Sequence, residues 1–507
     1  MQLLLFALLF AALMLLHAPL LRLPYFWDEA GYYIPVARDL YLTGSPIPHS
    51  TVSNAHPPLV MVLLALAWRI FGFSTLVTRT AMIMLAAFSL LGLFRLARSA
   101  ANLEIAAAVT VLTAIYPVFF TQSSLAQLDL PAAGLTFWAL AAYIEDRPWQ
   151  TVLWFSLAAL AKETAVLAPF ALLAWQVVAP PVRRWRVELS PAPGRKTHIF
   201  HLLLTIFPLA CWFAYHRART GFIFGNPDFF RYNVATTLNL LRIPIAFALR
   251  LWQLFGYFGL YLLTLAALLA IFRPPRVENT VSRPRIDIGI QAAFVSIILA
   301  YLLFMSAVGG AVLARYLLPV SPLVILLLVA TLWRRLRYWK LIGVAIALAF
   351  LSGLFTNPPY GFSLEDNLAY RDFVVMHAQA SQFLAMRYPN STVLTAWPAS
   401  DELTRPWLAY VARPFQVVRL EDFTPSQIDT AARARNRYDV VFAFSTKYHP
   451  PHNPFDDWAT WQRIKEKYFG FHRDLSPEQI AQRLGGNISS RKEENGLWVA
   501  VIALDKQ

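Results

Sequence analysis

Cysteine and charge are what this 507-residue chain has least of. Its one cysteine, Cys211, excludes a disulfide framework within one chain and any cysteine-based metal site. It lies inside an apolar segment and is expected to be a small packing residue. Charged residues make up 14%, against roughly 25% in soluble domains, while hydrophobic residues reach 57%. There is no P-loop, no GxSxG, no HExxH and no paired CxxC. No basic stripe with interleaved aromatics occurs in the polar part of the chain, so nucleic acid is not an expected partner.

What is present is unevenly spread. To about Thr356 the chain is a string of apolar segments broken by short basic loops. From Asn357 to Gln507 it reads as an ordinary soluble domain, with 17 basic and 17 acidic residues. The net charge of +15 therefore belongs to residues 1–356, and a basic excess confined to membrane loops is first a topology signal. The pattern predicts a membrane domain over 1–356 and an extracytoplasmic α/β domain over 357–507.

A spanning helix needs about 20 apolar residues. Twelve candidate segments follow in order, at about 2–21, 57–73, 79–97, 104–121, 130–144, 149–161, 164–180, 199–216, 244–272, 288–308, 317–333 and 339–356. The first has no basic residue before it and no small-x-small site after it, so an uncleaved helix is expected. Four loops are strongly basic: Arg95/Arg98, Arg183-Arg184-Trp185-Arg186 with Arg195-Lys196, Arg273 to Arg285, and Arg334 to Lys340. Short basic loops stay in the cytoplasm. All four do so only if one early segment fails to cross. The segment 57–73 carries Arg69 and starts at His56-Pro57-Pro58, which suits a helix lying in the outer interface. About eleven spans remain, and the soluble domain falls outside.

That threading gathers at one face nearly every acid of the membrane part that is not beside a cytoplasmic arginine. Asp28 and Glu29 follow the first span within Tyr25-Phe26-Trp27-Asp28-Glu29-Ala30-Gly31-Tyr32-Tyr33. The aromatics have an ordinary explanation as an interfacial belt; two carboxylates at the bilayer boundary are costly and point to a substrate path. Asp129 lies where the helix is expected to break at Pro117 and resume at Pro131, either lining a cavity or merely capping a helix. Lys162 interrupts an apolar run, with Glu163 beside it as a potential partner. Arg315-Tyr316 is expected to open the tenth helix, with Arg315 gripping a phosphate by its planar fork or snorkelling. Arg79 and His56 complete the cations.

These pieces, in order over about 320 residues, resemble the polytopic glycosyltransferases of the GT-C class, especially the protein O-mannosyltransferase and lipid A aminoarabinose transferase (glycosyltransferase family 39-like) group. The matching pieces are Trp27-Asp28-Glu29-Ala30 with Tyr33 and Ala37-Arg38, then His56-Pro57-Pro58-Leu59, and Phe71-Gly72 before Arg79. They continue with Pro117, Gln122 and Asp129, then Leu160-Ala161-Lys162-Glu163 and Arg315-Tyr316-Leu317-Leu318-Pro319. The aminoarabinose transferases carry lysine where this chain has His56.

The resemblance implies transfer of a sugar from a polyprenyl-phosphate carrier to a protein, lipid or glycan acceptor, outside a bacterial inner membrane. By it, Asp28 is the catalytic carboxylate, with Glu29 and Asp129 in support and the first-loop Pro-Pro-Leu segment in juxtamembrane helices. Lys162, Arg315, His56 and Arg79 are expected at the donor phosphate. Tyr33, Gln122, Glu163 and Tyr316 are expected at the sugar or acceptor. A divalent metal at Glu29 or Asp129 is compatible with these residues and not required by them. Asp28 and Asp129 are expected to meet at one cavity.

In the soluble part, strands are expected over 391–397, 415–420, 438–444 and 497–504, with helices near 370–387, 424–437 and 456–469. Its polar clusters are Asp401-Glu402 and His449-Pro450-Pro451-His452. The latter, with Asp456-Asp457, reads as a solvated loop before it reads as a metal site. A transporter or lipid flippase is the alternative, but it should show an internal repeat and midplane charges, which are not evident. A membrane scaffold would leave the three acids without a common role.

Overall fold

The computed structural model describes residues 2–184, 197–278, 280–450 and 458–505. Trp185, Arg186, Arg195 and Lys196 of the second basic loop lie outside the described residues, as do Pro451, His452, Asp456 and Asp457. The chain divides into two compact units. The first comprises 1–18, 36–73 and 77–354, and the second 19–35, 74–76 and 355–507.

In the first unit all twelve apolar segments are helical. Four helices among the described residues are long and apolar enough to cross a bilayer: Thr75–Ala100, Ile199–Thr220, Arg242–Ile271 and Ile288–Ala307. The chain is thus a helical integral membrane protein. Six further apolar helices have 10–17 residues, among them Gln2–Leu16, Leu103–Ile115, Asp129–Ile144 and Trp339–Phe355. The segment read as interfacial forms a helix over Leu59–Phe71. At 1.5 Å per residue it spans about 20 Å, short of a hydrocarbon core of about 30 Å. It buries Val60, Met61, Leu64, Ala65 and Trp68 on one face and leaves Leu66, Ile70 and Phe71 exposed. Cys211 is exposed on the helix Phe207–Thr220, contrary to the packing role expected of it.

Proline decides where several helices begin. The helix Pro117–Gln122 starts at a proline, so the segment breaks before Pro117, runs one short helix and resumes at Asp129 rather than Pro131. Pro131 falls within the first turn, where its missing N–H costs nothing. Arg315 and Tyr316 do not open a long helix. They lie on a 3-10 turn, Ala314–Leu317, and the helix begins at Ser321 with Pro322 in its first turn.

The helix Asp129–Ile144 separates two kinds of charge. Glu145, just past its C-terminus, pairs with Arg95 at 2.5 Å. At that end Trp333 and Lys340 both reach Glu104 (2.7 and 3.1 Å), and Arg283 donates to the Trp333 carbonyl. The basic loops that carry Arg283 and Arg334 thus interlock with each other. Asp129 stands at the other end, about 24 Å away along the axis.

The second unit holds a five-stranded sheet. A two-residue ladder in the first unit supplies β1 (Val277–Glu278) and β2 (Val281–Ser282); the sheet consists of β3 (Val393–Ala396), β4 (Val417–Leu420), β5 (Val440–Phe444), β6 (Gly486–Glu494) and β7 (Leu497–Leu504). Its order is β4-β3-β5-β7-β6, with β3 parallel to both neighbours and β7 antiparallel to both of its own. Four strands fall where alternation places them. β6 was not expected, because GNISSRKEE is a polar sequence on a sheet edge.

Close helix packing in the first unit can be tested at Gly134. A Cβ there would meet Ser89 Oγ at 1.8 Å and Ser89 Cα at 2.8 Å, and the backbone atom cannot swing aside. Gly134→Val is expected to destabilise by about 1–3 kcal/mol, read as a lower thermal midpoint in detergent. Gly343→Ala, which meets nothing within 4 Å, is the expected neutral or stabilising control.

Candidate active site

Asp28, Glu29 and Tyr33 belong to the second unit; Asp129, Lys162, Arg315, Tyr316, His56, Glu163, Arg79 and Gln122 belong to the first.

In the first unit three chain breaks deliver opposite charges to one place. The helix Pro148–Ala161 ends at Lys162, whose backbone is extended (φ −153°, ψ 132°). Successive side chains of an extended segment point opposite ways, so Lys162 and Glu163 diverge instead of pairing. Lys162 Nζ reaches Asp129 Oδ1 at 2.5 Å, and Arg315 Nε approaches Asp129 Oδ2 at 3.4 Å. The Asp129 carboxylate is therefore committed to two cations and is not a helix cap. Arg315 also donates to Gln127 Oε1, two residues before that acid.

Tyr316 is the centre of this cluster. Lys162 Nζ lies 4.2 Å from its ring centroid, and the guanidinium carbons of Arg315 and Arg250 lie at 5.5 and 5.6 Å. All three cations are buried while Tyr316 is half-buried. Cation–π attraction of this kind strengthens as water is removed.

Arg250 was not anticipated from the sequence, and neither were Arg242 and Gln253 from the same helix, Arg242–Phe255. Together they hold the loop that presents Arg315. Arg242 donates to the carbonyls of Gly309 and Gly310 at 2.7 and 3.1 Å. Gln253 donates to Val312 O at 2.8 Å, and Arg250 to Leu313 O at 2.5 Å and Gln253 Oε1 at 2.9 Å. The clue was available: Arg250 interrupts an apolar run just as Lys162 does.

Glu163 turns to His56, with Nδ1 to Oε2 at 3.1 Å. The same stretch is fastened by Trp212, whose indole donates to Ala55 O at 2.8 Å. Arg79 donates to Ser124 O at 2.9 Å and so braces the 123–128 loop that leads to Asp129. Gln122 is fully buried, and its amide forms no hydrogen bond with any described residue.

In the second unit the first-loop acids are held differently from one another. Glu29 folds back so that its Oε2 accepts from Phe26 N at 2.9 Å, while Glu29 N donates to Phe26 O at 2.9 Å. That turn places Trp27 at φ +44°, a left-handed conformation costly for a bulky residue. Asp28 sits at the start of the π-helical turn Glu29–Tyr33 without capping it, and is half-buried. Tyr33 is buried, edge-on to Tyr32 at 5.6 Å.

Both acids considered for a metal have protein partners in the structure. The Asp129 oxygens face an ammonium and a guanidinium, and Glu29 closes its own turn. Among the described residues no group of three or more His, Cys, Asp or Glu side chains is arranged to hold an ion.

Removing one partner of the Asp129 pair leaves a buried charge. Lys162→Met is expected to cost about 3–5 kcal/mol of stability, and Lys162→Met with Asp129→Asn to recover part of it. Thermal unfolding of the single and double variants in detergent reads the coupling; strictly additive losses would mean that the two side chains do not interact.

Residues 55–213 match the model of the dolichyl-phosphate-mannose-protein mannosyltransferase family. Two crystal structures of ArnT from Cupriavidus metallidurans, one bound to undecaprenyl phosphate and one in the apo state, have a TM-score of 0.54 to this chain, with 14% and 15% sequence identity. Each alignment covers 98% of this chain and 97% of the other. No curated protein sequence matches the chain. In fold along nearly its whole length, and in sequence over residues 55–213, this chain resembles the membrane glycosyltransferases of the GT-C class.

Proposed function

We propose that the protein is a glycosyltransferase that moves a sugar from a polyprenyl-phosphate-linked donor to an acceptor hydroxyl on the periplasmic side of a bacterial inner membrane. The observation that carries this reading is the convergence of Lys162, Arg250 and Arg315 on Tyr316 beside the Asp129 carboxylate. Buried cations that converge on one ring suit an anionic ligand, and Arg in particular matches phosphate oxygens. The ligand of the similar ArnT structure, undecaprenyl phosphate, has that chemistry.

An apolar cavity of about 200 Å³, lined by Leu59, Val60, Leu85, Pro131, Leu135 and Leu157, opens beside the start of the Asp129 helix. A prenyl chain is the matching occupant by polarity. The donor already carries its leaving group as a phosphate ester. In the reaction the acceptor oxygen bonds to the anomeric carbon as the carbon–oxygen bond to phosphate breaks. Polyprenyl phosphate departs with the bonding pair. Asp28 takes the acceptor proton, a general-base role, while Lys162, Arg315 and Arg250 neutralise the departing phosphate. No acid is needed to protonate that leaving group, in contrast to glycoside hydrolysis. The acceptor is a protein, lipid or glycan hydroxyl.

In this reading residues 1–356 form the catalytic membrane domain with about eleven spans. The helix Leu59–Phe71 lies in the outer interface, and 357–507 is periplasmic. A transporter is disfavoured because Asp129 and its cations gather at a helix end, not midway along one.

Asp28→Asn is expected to lower transfer by about 10²–10⁴-fold with the thermal midpoint unchanged. Mass spectrometry of surface glycoconjugates, in a deletion strain complemented with either form, reads the effect; full activity in the variant removes Asp28 from the chemistry. For topology, Ser74→Cys in a Cys211→Ala background is expected to react with an impermeant maleimide added to spheroplasts. Labelling only after permeabilisation would place Leu59–Phe71 across the bilayer.

A further inference from the structure

The turn that carries Asp28 is clamped by rings of its own unit. Trp27 packs edge-on against Trp397 at 5.0 Å and against Phe373 at 5.7 Å, and Phe26 meets Phe373 at 5.6 Å. Gly31 allows the closest approach: a Cβ there would lie 2.8 Å from Trp397 Cζ2. Two segments supply these rings. Phe373 belongs to the helix Ala369–Arg387, and Trp397 lies two residues before the short helix Ala399–Thr404.

One polar contact ties those two segments together beneath the clamp. His377, one turn after Phe373, and Glu402, five residues after Trp397, are both fully buried and meet Nδ1 to Oε2 at 2.7 Å. The imidazole stacks on Phe373 at 3.9 Å and packs against Phe444 and Phe442 at 4.6 and 5.2 Å. His377 Nε2 and Glu402 Oε1 form no hydrogen bond with any described residue. Two such groups inside an aromatic core are expensive, and well-packed apolar side chains would serve stability as well or better. What the dyad adds is direction. A hydrogen bond fixes distance and angle, which ring packing alone leaves loose.

We propose that His377 and Glu402 are positioning residues for Asp28: their bond sets the spacing of Phe373 and Trp397, and those rings set the Trp27 turn from which Asp28 projects. This rests on the proposed role of Asp28 as base. It assigns neither residue any contact with substrate.

The test is hydrogen exchange, resolved by mass spectrometry, on the full-length protein in nanodiscs. Glu402→Leu and His377→Leu are expected to speed exchange at the Glu29 and Gly31 amides about tenfold, the effect of roughly one lost hydrogen bond on local opening. Exchange in β5 and β7 should stay unchanged. Glu402→Gln, which keeps an acceptor for Nδ1–H, should restore the wild-type rate, which a packing role alone would not require. Unchanged exchange over 26–31 in Glu402→Leu, or an equal rise throughout the sheet, overturns the proposal. If His377→Leu does not fold, the contrast between Glu402→Leu and Glu402→Gln decides alone. Transfer is measured on the same variants. A loosened turn with lowered kcat and unchanged KM supports both readings, whereas a loosened turn with kcat intact supports positioning and removes Asp28 as the base.

Discussion

A carboxylate at the head of a membrane helix survives only if something neutralises it, and the first unit is organised around doing so for Asp129. Its two oxygens face Lys162 at 2.5 Å and Arg315 at 3.4 Å. These groups come from three places far apart in sequence, each at an interruption of helix. A continuous helix through Lys162 would keep Lys162 and Glu163 only about 100° apart, on much the same side. The extended residue at that break sends one to Asp129 and leaves the other for His56. The breaks are therefore what turn isolated charges in apolar segments into a cluster with chemistry.

Three cations share this cluster. Arg250 joins Lys162 and Arg315 around the Tyr316 ring, and its own hydrogen bonds go to backbone carbonyls and an amide. Gathering buried cations side by side costs several kcal/mol each where counter-charge is short, so their convergence suits the anionic ligand proposed above. The same logic accounts for the other end of the helix Asp129–Ile144. There Arg95, Arg283 and Lys340 pair with Glu145, Glu278 and Glu104, and the charge is structural.

Much of this was legible in the sequence because charge inside an apolar run is improbable on cost alone. Lys162, Asp129 and Arg315 stood out for that reason, and the helical segments were legible from length and hydropathy. Arg250 carried the same signal but lay near the basic flank of a long segment, where arginines usually serve topology. Its backbone acceptors, the carbonyls of Met305 and Leu313, are 55 and 63 residues away and have no side-chain signature. Adjacent acids were harder still. Nothing in Asp28-Glu29 says which one closes the turn, since that depends on Trp27 taking a left-handed conformation. The edge strand β6 has no hydrophobic face to betray it.

The second unit shows why the first loop could not be understood from its own residues. Trp27, Tyr32 and Tyr33 have the composition of an interfacial belt, and read alone they need no other explanation. In the fold Trp27 is instead wedged between Phe373 and Trp397, residues more than 340 positions later, and Gly31 is small because Trp397 lies against it. A carboxylate meant to accept a proton must be held to within a fraction of an ångström and some tens of degrees of its partner. A loop beside a membrane helix has no intrinsic means of that. Packing the turn onto a sheet domain supplies it, because the rings that grip Trp27 are anchored in a core of Phe442, Phe444 and the His377–Glu402 pair. With Asp28 as the proposed base, residues 355–507 would serve catalysis by rigidity, without any of them touching a sugar.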